Sequence, residues 1–523
     1  MKHHFHGSIG HVKHGEGELV NLPSAASPPA PQITAPQTAA TLSSAVERSS
    51  VAKRQRREMQ RDPGTTASGD DAASALLQTG AVACSISQRE VTAGDSFSLT
   101  VARDGQGWVH RAVTRLAAAS NMVGLDLTGN ALDADDCNAL AAALAAPSCK
   151  VATLSLKRVG MGPECALAFS EALKANRSLT AVNVERNGLG WSGGRALGEA
   201  LRANRSLIRL DMSLNDVGPE GGRAVARALR SGASLTELDM VRCGLGPEGG
   251  CALGEALVHN TALTRLDVTQ NDFGVAGGVA FGEALAVNRT LTALNMRFNR
   301  IGFGLERSID AFAGALGGNT CLRWLDLAQN ELGALGGRAF GVALKANRTL
   351  QYLNLERNEL GDEGAEPLAT ALMSNGSLTA LSMAQNEIAR AGAAFAKVVR
   401  DSASLLSLDL SKNRLGPDEG ASLGAALETA TCRTTTLDLK ANCIAGGAAR
   451  IAQALVHNAR LTALDLSQND LGPEGTLPFG EALRRNKALS TLRLSANGLE
   501  DGASLGEALA SHPTLTEADL SDN

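Results

Sequence analysis

Between Leu263 and Asn299 the phrase L-T-x-L-(D/N)-(V/M)-x-x-N is written twice, ending at Asn271 and again at Asn299. The interval between those two asparagines sets a repeat period. Carried along the chain, that ruler finds Asn130, Asn187, Asn215, Asn271, Asn299, Asn330, Asn358, Asn386, Asn413, Asn442, Asn469, Asn497 and Asn523. Val159 and Cys243 fill the two remaining slots, and every spacing stays close to the period. Self-similarity on this scale is the mark of a solenoid, in which each unit buries its apolar face only against its neighbours. A chain of 523 residues so written is expected to be mostly one elongated array.

One unit shows how. Leu235, Leu238 and Met240 alternate with Glu237 and Asp239, the pattern of a short strand with one face inward. Gly244, Leu245 and Gly246 make the turn that follows, and Pro247 with Glu248 suits the first turn of a helix. Ala252, Leu253, Ala256 and Leu257 then recur at helical spacing until Asn260. Strands repeated in this way stack in parallel about 4.8 Å apart, while the bulkier helices fan outward. The expected fold is an α/β solenoid, a horseshoe of about 14 to 15 repeats with the sheet on its concave face.

The phrases L-x-x-L-x-L-x-x-N/C and G-P-E-G-G-x-A-L-G-E-A-L-x-x-N resemble the ribonuclease-inhibitor type of leucine-rich repeat, from about Val123 to Asn523. Within that class, A-N-R-S-L at Ala175–Leu179 and Ala203–Leu207 is most similar to the repeat halves of NACHT-containing innate immune receptors. The nucleotide-binding half of that family has no counterpart here. The sequence contains no G-x-x-x-x-G-K-[ST], nor any Gly-Lys dipeptide. The resemblance implies a stand-alone recognition array or scaffold without a cofactor, with a cytoplasmic location. An alternative within the same repeat class is an activator of a small GTPase of the Ran type, although that family's acidic tail after the repeats has no counterpart here.

Outside the array, residues 1–75 have no periodicity and are expected to be disordered and low in complexity. His3, His4, His6, His11 and His14 read as a tag-like tail, with a metal-binding cluster as the alternative. Lys53, Arg54, Arg56 and Arg57 resemble a nuclear-localisation signal, against the plainer reading of a solvated linker. Residues 76–120 are expected to form a linker and cap, with a hairpin including Ser96–Val101 and a covering helix over Val109–Ala119; residues 121–523 are the repeat domain. No polar-faced closing element is read before Asn523, which is expected either of a piece of a longer protein, the preferred reading, or of an array whose last strand a partner covers.

Charge and chemistry narrow the function. A formal net charge of −5 offers no general basic surface to nucleic acid, and no run of apolar residues is long enough for a membrane span. Nine scattered cysteines without a C-x-x-C pair fit a reducing compartment and free thiols. Five N-x-S/T triplets, at Asn176, Asn204, Asn288, Asn347 and Asn375, share one place in the repeat and read as helix-ending residues in preference to glycan acceptors. His110, His259, His457 and His512 are isolated, and most Cys and Asp of the array sit at template positions, so a non-enzymatic protein is expected.

Binding chemistry is expected on the strand positions two, four and six residues before each Asn slot. The middle column carries nine aspartates among fifteen positions, among them Asp211, Asp239, Asp267 and Asp326. It reads either as a field that attracts a basic protein partner or as the common L-D-L of the repeat. The outer column runs Arg209, Glu237, Arg265 and Ala293, then Trp324 and Tyr352, the latter the only tyrosine of the chain. Two large exposed aromatics beside Arg297, Glu356 and Arg357 are the residue types that dominate protein interfaces. Next to them the repeat from Asn299 to Asn330 is longer than the period, with extra residues near Phe303–Asp310 expected to disturb the curvature.

Overall fold

The computed structural model describes residues 122–302, 306–500 and 502–523, together with the backbone of two short strands, Cys84–Ser87 and Phe97–Val101. From Met122 onward strand and helix alternate, each strand three to five residues long and each followed by an α-helix until the last, Glu517–Asp519; in two repeats a short 3-10 helix, Ala445–Gly447 or Pro473–Gly475, leads into the α-helix. Every strand pairs in parallel with the strand of the next repeat, mostly Leu on Leu at the centre, as in Leu210 with Leu238, Leu238 with Leu266 and Leu325 with Leu353, with Val182 and Ala518 as the departures. The central leucines of the strands point inward, Leu154, Leu210, Leu238, Leu266, Leu325 and Leu408 all being buried. The α/β solenoid read from the period is the fold.

The helix of the sample repeat starts as its sequence implies. In Gly246–His259, Gly246 takes φ +61°, a conformation costly for other residues, and Pro247 opens the first turn. Leu253, Ala256 and Leu257 face the sheet and are buried.

Two asparagine ladders tie the repeats together. In the first, at the turn leaving each strand, Asn271 accepts the Cys243 N–H (2.9 Å) on Oδ1 and donates Nδ2 to Met240 O (2.7 Å) and Val268 O (2.9 Å). Its own N–H passes to Asn299 Oδ1 at 3.0 Å, and the same step recurs at Asn299, Asn330 and Asn358. Cys243 keeps only part of this role, reaching Met212 O through its thiol at 3.3 Å. The second ladder lies at the helix ends. Asn176, Asn204, Asn288, Asn347 and Asn375 are 1–4% exposed, and each gives Nδ2 to a leucine carbonyl of the preceding helix, as Asn204 does to Leu173 O at 2.8 Å. The helix-ending reading of the N-x-S/T triplets therefore holds, by a different geometry. These residues are extended (Asn204 φ −75°, ψ 138°), and the side chain caps by bonding to the backbone N–H groups two and three residues on. His512 replaces Asn in the last such position, with Nδ1 accepting the Leu515 N–H at 3.1 Å.

Three expectations need correction or restriction. Two cysteines are not free: Cys137 and Cys165 are joined in a disulfide, Cα to Cα 5.5 Å. They are 28 residues apart, so they occupy the same helical position in adjacent repeats, where neighbouring helices approach closely. The long repeat does not break the sheet, since Trp324 still pairs with Ala293 and Leu325 with Leu294. Its extra length falls between the turn and helix Glu306–Gly318, and residues 303–305 lie outside the described residues. At the other end, Phe97–Val101 pairs in parallel with Met122–Asp126 and antiparallel with Cys84–Ser87, so the expected hairpin is joined to the first repeat's sheet edge. The readings of residues 1–75, of Lys53–Arg57 and of a helix over Val109–Ala119 fall outside the described residues.

Candidate functional site

The open face of the sheet presents the side chains that alternate with the buried leucines, and the parallel register sets like positions side by side. Trp324 is therefore directly opposite Tyr352, and their rings stack with centroids 5.1 Å apart and planes 5° from parallel. The stack leaves both half-buried, so neither is the fully exposed aromatic expected from the sequence. The indole Nε1–H is buried and has no acceptor. Burial also pushes the Tyr352 hydroxyl above its ordinary pKa, with Asp326 adding to the effect.

Beside the rings, Asp326 accepts the Ala328 N–H (2.9 Å) and the Asn354 amide (3.0 Å), so its carboxylate is satisfied although buried. Arg297 and Glu356, one repeat to either side of Ala328, meet at 3.5 Å. The methyl of Ala328 leaves the room for two long side chains to reach each other across that repeat. Arg297 also lies over the ring of Phe298, 5.5 Å from its centroid, and Phe298 is 40% exposed with φ +58°. A bulky residue in that backbone region is uncommon. Sequence reading missed Phe298, although it is the one aromatic in a slot, just before the Asn, that is mostly polar (Arg158, Arg186, Gln270, Gln329) with Leu214, Ala441 and Ala496 among the exceptions.

The remaining predicted residues form a second group, one strand removed. Arg209 pairs with Glu237 at 3.1 Å, and Arg265 stands in register beside Glu237. Beneath them Asp211, Asp239 and Asp267 occupy consecutive strands, and the first and last are well satisfied. Asp211 takes the Asn183 amide and the Ser213 N–H, each at 3.0 Å; Asp267 takes the Asn295 amide (2.9 Å) and the Thr269 N–H (3.0 Å). These turn bonds are a structural reason for the recurrent L-D-L. Asp239 lacks them, because Ser213 Oγ accepts the Val241 N–H instead, at 3.1 Å. Its Oδ1 is buried without a partner. Burial first, then the carboxylates of Asp267 and Asp211, raise its pKa to about 7.

A raised carboxyl pKa has a definite sign. The unfolded group ionises near 3.8 and the folded one near 7, so between those values the folded state binds more protons and stability falls as pH rises. Asp239→Asn is expected to raise the unfolding free energy by about 1–2 kcal/mol at pH 8 and by clearly less at pH 5, read by urea denaturation at both values. Equal effects at the two pH values would exclude a raised folded pKa.

Among the described residues no group of three or more His, Cys, Asp or Glu is placed to hold a metal ion, and no helix is long and apolar enough to cross a membrane.

Against known proteins, the family pattern described as Leucine Rich repeat matches residues 175–198, 203–226, 233–254, 259–282, 287–302, 318–341, 346–369 and 457–479. Those stretches are leucine-rich repeats. In this region the leucine-rich-repeat chain is 38% identical over 138 residues to the mouse (Mus musculus) protein "NACHT, LRR and PYD domains-containing protein 12", and 33% over 124 residues to its human (Homo sapiens) counterpart. These matches cover 25% and 23% of the chain but only 13% and 12% of the relatives' own length. Among solved structures, a TLR13–ssRNA13 complex aligns over 82% of this repeat chain and 55% of its own, with TM-score 0.45 and 17% identity. An internalin of Listeria monocytogenes aligns over 68% and 89%, with TM-score 0.39 and 17% identity. Leucine-rich-repeat regions generally mediate protein–protein interaction or recognition.

Proposed function

We propose that this chain is a non-enzymatic protein-binding module that receives its partner on the open face of the sheet, centred on Trp324 and Tyr352. Asp326, Arg297 and Glu356 surround the centre. Arg209, Glu237, Arg265, Asp211, Asp239 and Asp267 form a mixed flank whose aspartates leave it net acidic, suited to a basic portion of the partner. The observation that carries the reading is the stacked pair itself, whose indole N–H is left without an acceptor. A rigid aromatic pair gives a partner a large apolar contact at little cost in side-chain entropy.

The test is a capture experiment scored against a variant. Trp324→Ala with Tyr352→Ala is expected to weaken binding of the captured partner about a hundredfold or more, with the far-ultraviolet circular dichroism of the array unchanged. Undiminished affinity in a folded double variant would remove the open face around these rings from the interface.

A further inference from the structure

We propose that the edge formed by the C-terminal ends of helices Gly162–Ala175, Gly190–Ala203 and Gly218–Arg230 is a second docking surface, for an acidic protein segment with an apolar side chain beside its carboxylates. Lys174, Arg202 and Arg230 are each one period apart and fall in one row across three adjacent helices. Arg177 and Arg205 form a second row just beyond the helix ends. Lys174 is bridged to Glu171 at 2.6 Å; among the described residues Arg177, Arg202, Arg205 and Arg230 have no carboxylate partner. The chain as a whole is acidic, and along this one edge four guanidinium groups without a carboxylate partner stand together; the backbone hold of the second row recurs at Arg289 and Arg348.

Bases near helix C-termini are favoured by the helix dipole, and that alone could place them there. The repeat does not require it. Helices Ala134–Ala145, Gly274–Val287, Glu306–Gly318, Gly361–Leu372 and Ala503–Ser511 carry no base in the last turn and pack into the same array. The first row continues one further repeat to Val258, which is 38% exposed, and Val287 on the next helix is 52% exposed. Basic and aliphatic side chains thus follow one another along a single edge.

The chemistry of the occupant follows from how the arginines are held. Nη1 of Arg177 bonds to Lys174 O (2.7 Å) and Asn176 O (2.9 Å), and Nη1 of Arg205 bonds to Arg202 O (2.9 Å) and Asn204 O (3.1 Å). Each guanidinium is therefore fixed in orientation, as recognition of a planar carboxylate requires, whereas attraction to a lipid headgroup needs only charge. The exposed aromatic of these helices, Trp191, stands at the N-terminal end of Gly190–Ala203, while the exposed large apolar side chains at the C-terminal edge, Val258 and Val287, are aliphatic, so a nucleic-acid strand on that edge would find no ring on which to stack a base. Adjacent helices are about 8–10 Å apart, so the row of three bases spans about 20 Å, some six residues of extended peptide.

A fluorescein-labelled peptide of about six glutamates followed by two leucines, matched to that span, is the probe, added to the full chain and read by anisotropy. Its counterpart with glutamines, a polyuridine of the same length and phosphatidylserine vesicles are the comparisons. The glutamate peptide is expected to bind, more weakly as salt rises. Arg202→Gln with Arg205→Gln and Arg230→Gln should weaken it about tenfold or more, and the corresponding lysine variants, which keep charge and lose the fork, by less. Val258→Asp with Val287→Asp should also weaken it, while Arg338→Gln with Arg450→Gln, on arginines already paired to Glu363 and Glu428, should not. The proposal is overturned by no binding of the glutamate peptide, by equal binding to the glutamine triple variant, or by capture of only polyuridine or vesicles. If the glutamine variant loses its circular dichroism signal, the lysine variant decides, and undiminished binding by it also overturns the proposal.

Discussion

Asn271→Ala is expected to lower the unfolding free energy by about 4 kcal/mol, among the larger effects a single substitution produces. The side chain is 2% exposed and serves five backbone groups: the Cys243 and Leu245 N–H groups on Oδ1, and the Met240, Val268 and Thr269 carbonyls on Nδ2. Each buried group left unpaired costs about 1–3 kcal/mol, and the sum is reduced where the turn relaxes toward solvent. The damage should also be localised. Stability in such an array is roughly a sum of repeat and neighbour contributions, so hydrogen exchange should speed up first in the repeats on either side of residue 271. A loss below about 1 kcal/mol in urea would mean that the backbone, not the ladder, holds these turns.

The second large effect is expected where two helices touch through their backbones. A Cβ built on Gly337, in helix Gly333–Ala346, would lie 2.4 Å from both Cα and O of Gly364, in helix Gly361–Leu372. Neither obstacle is a side chain that can swing away. Gly337→Val should therefore cost about 4 kcal/mol or more and leave the two repeats mispacked. Gly314 is the internal comparison, also helical but with nothing within 4 Å of the added carbon. There Gly→Ala should stabilise by about 0.5–1 kcal/mol through helix propensity. Thermal unfolding of the two variants side by side checks both signs, and a tolerated valine at 337 would show that the spacing between these helices is adjustable.

The contrast between those positions shows what sequence reading reaches. Period and polarity place Leu238, Met240 and Leu253 in the core and Asn260 at a helix end, because burial of an apolar row is a local decision repeated many times. Contacts between repeats are visible only when positions are compared one period apart. Cys137 and Cys165 carry that signal in their separation of 28 residues, the period of the array, yet a search for C-x-x-C motifs passes over it. The rows of Lys174, Arg202 and Arg230 are likewise legible only in register. At the open face, the column rule put Trp324 beside Tyr352, but not their stack or their half-burial, which depend on ring rotation. The aspartate column was legible as charge. That Asp211 and Asp267 hold turn N–H groups while Ser213 deprives Asp239 of one depends on side-chain geometry that spacing does not encode.

The asparagine ladder has a direction but no address. From Asn271 to Asn386 each Asn gives its N–H to the next repeat and receives from the previous one through the same atoms, so nothing in the bonding of Asn271 distinguishes Asn299 from Asn330 as its acceptor. A whole repeat excised or duplicated between two such asparagines would find the same donors and acceptors waiting on either side. Length is then a quantity that recombination can vary freely, without solving the folding problem again. What recombination does change is adjacency: it decides which tryptophan faces which tyrosine and how many arginines stand in a row. In this architecture a new binding surface can arise by shuffling whole repeats, with every side chain in each repeat left as it was.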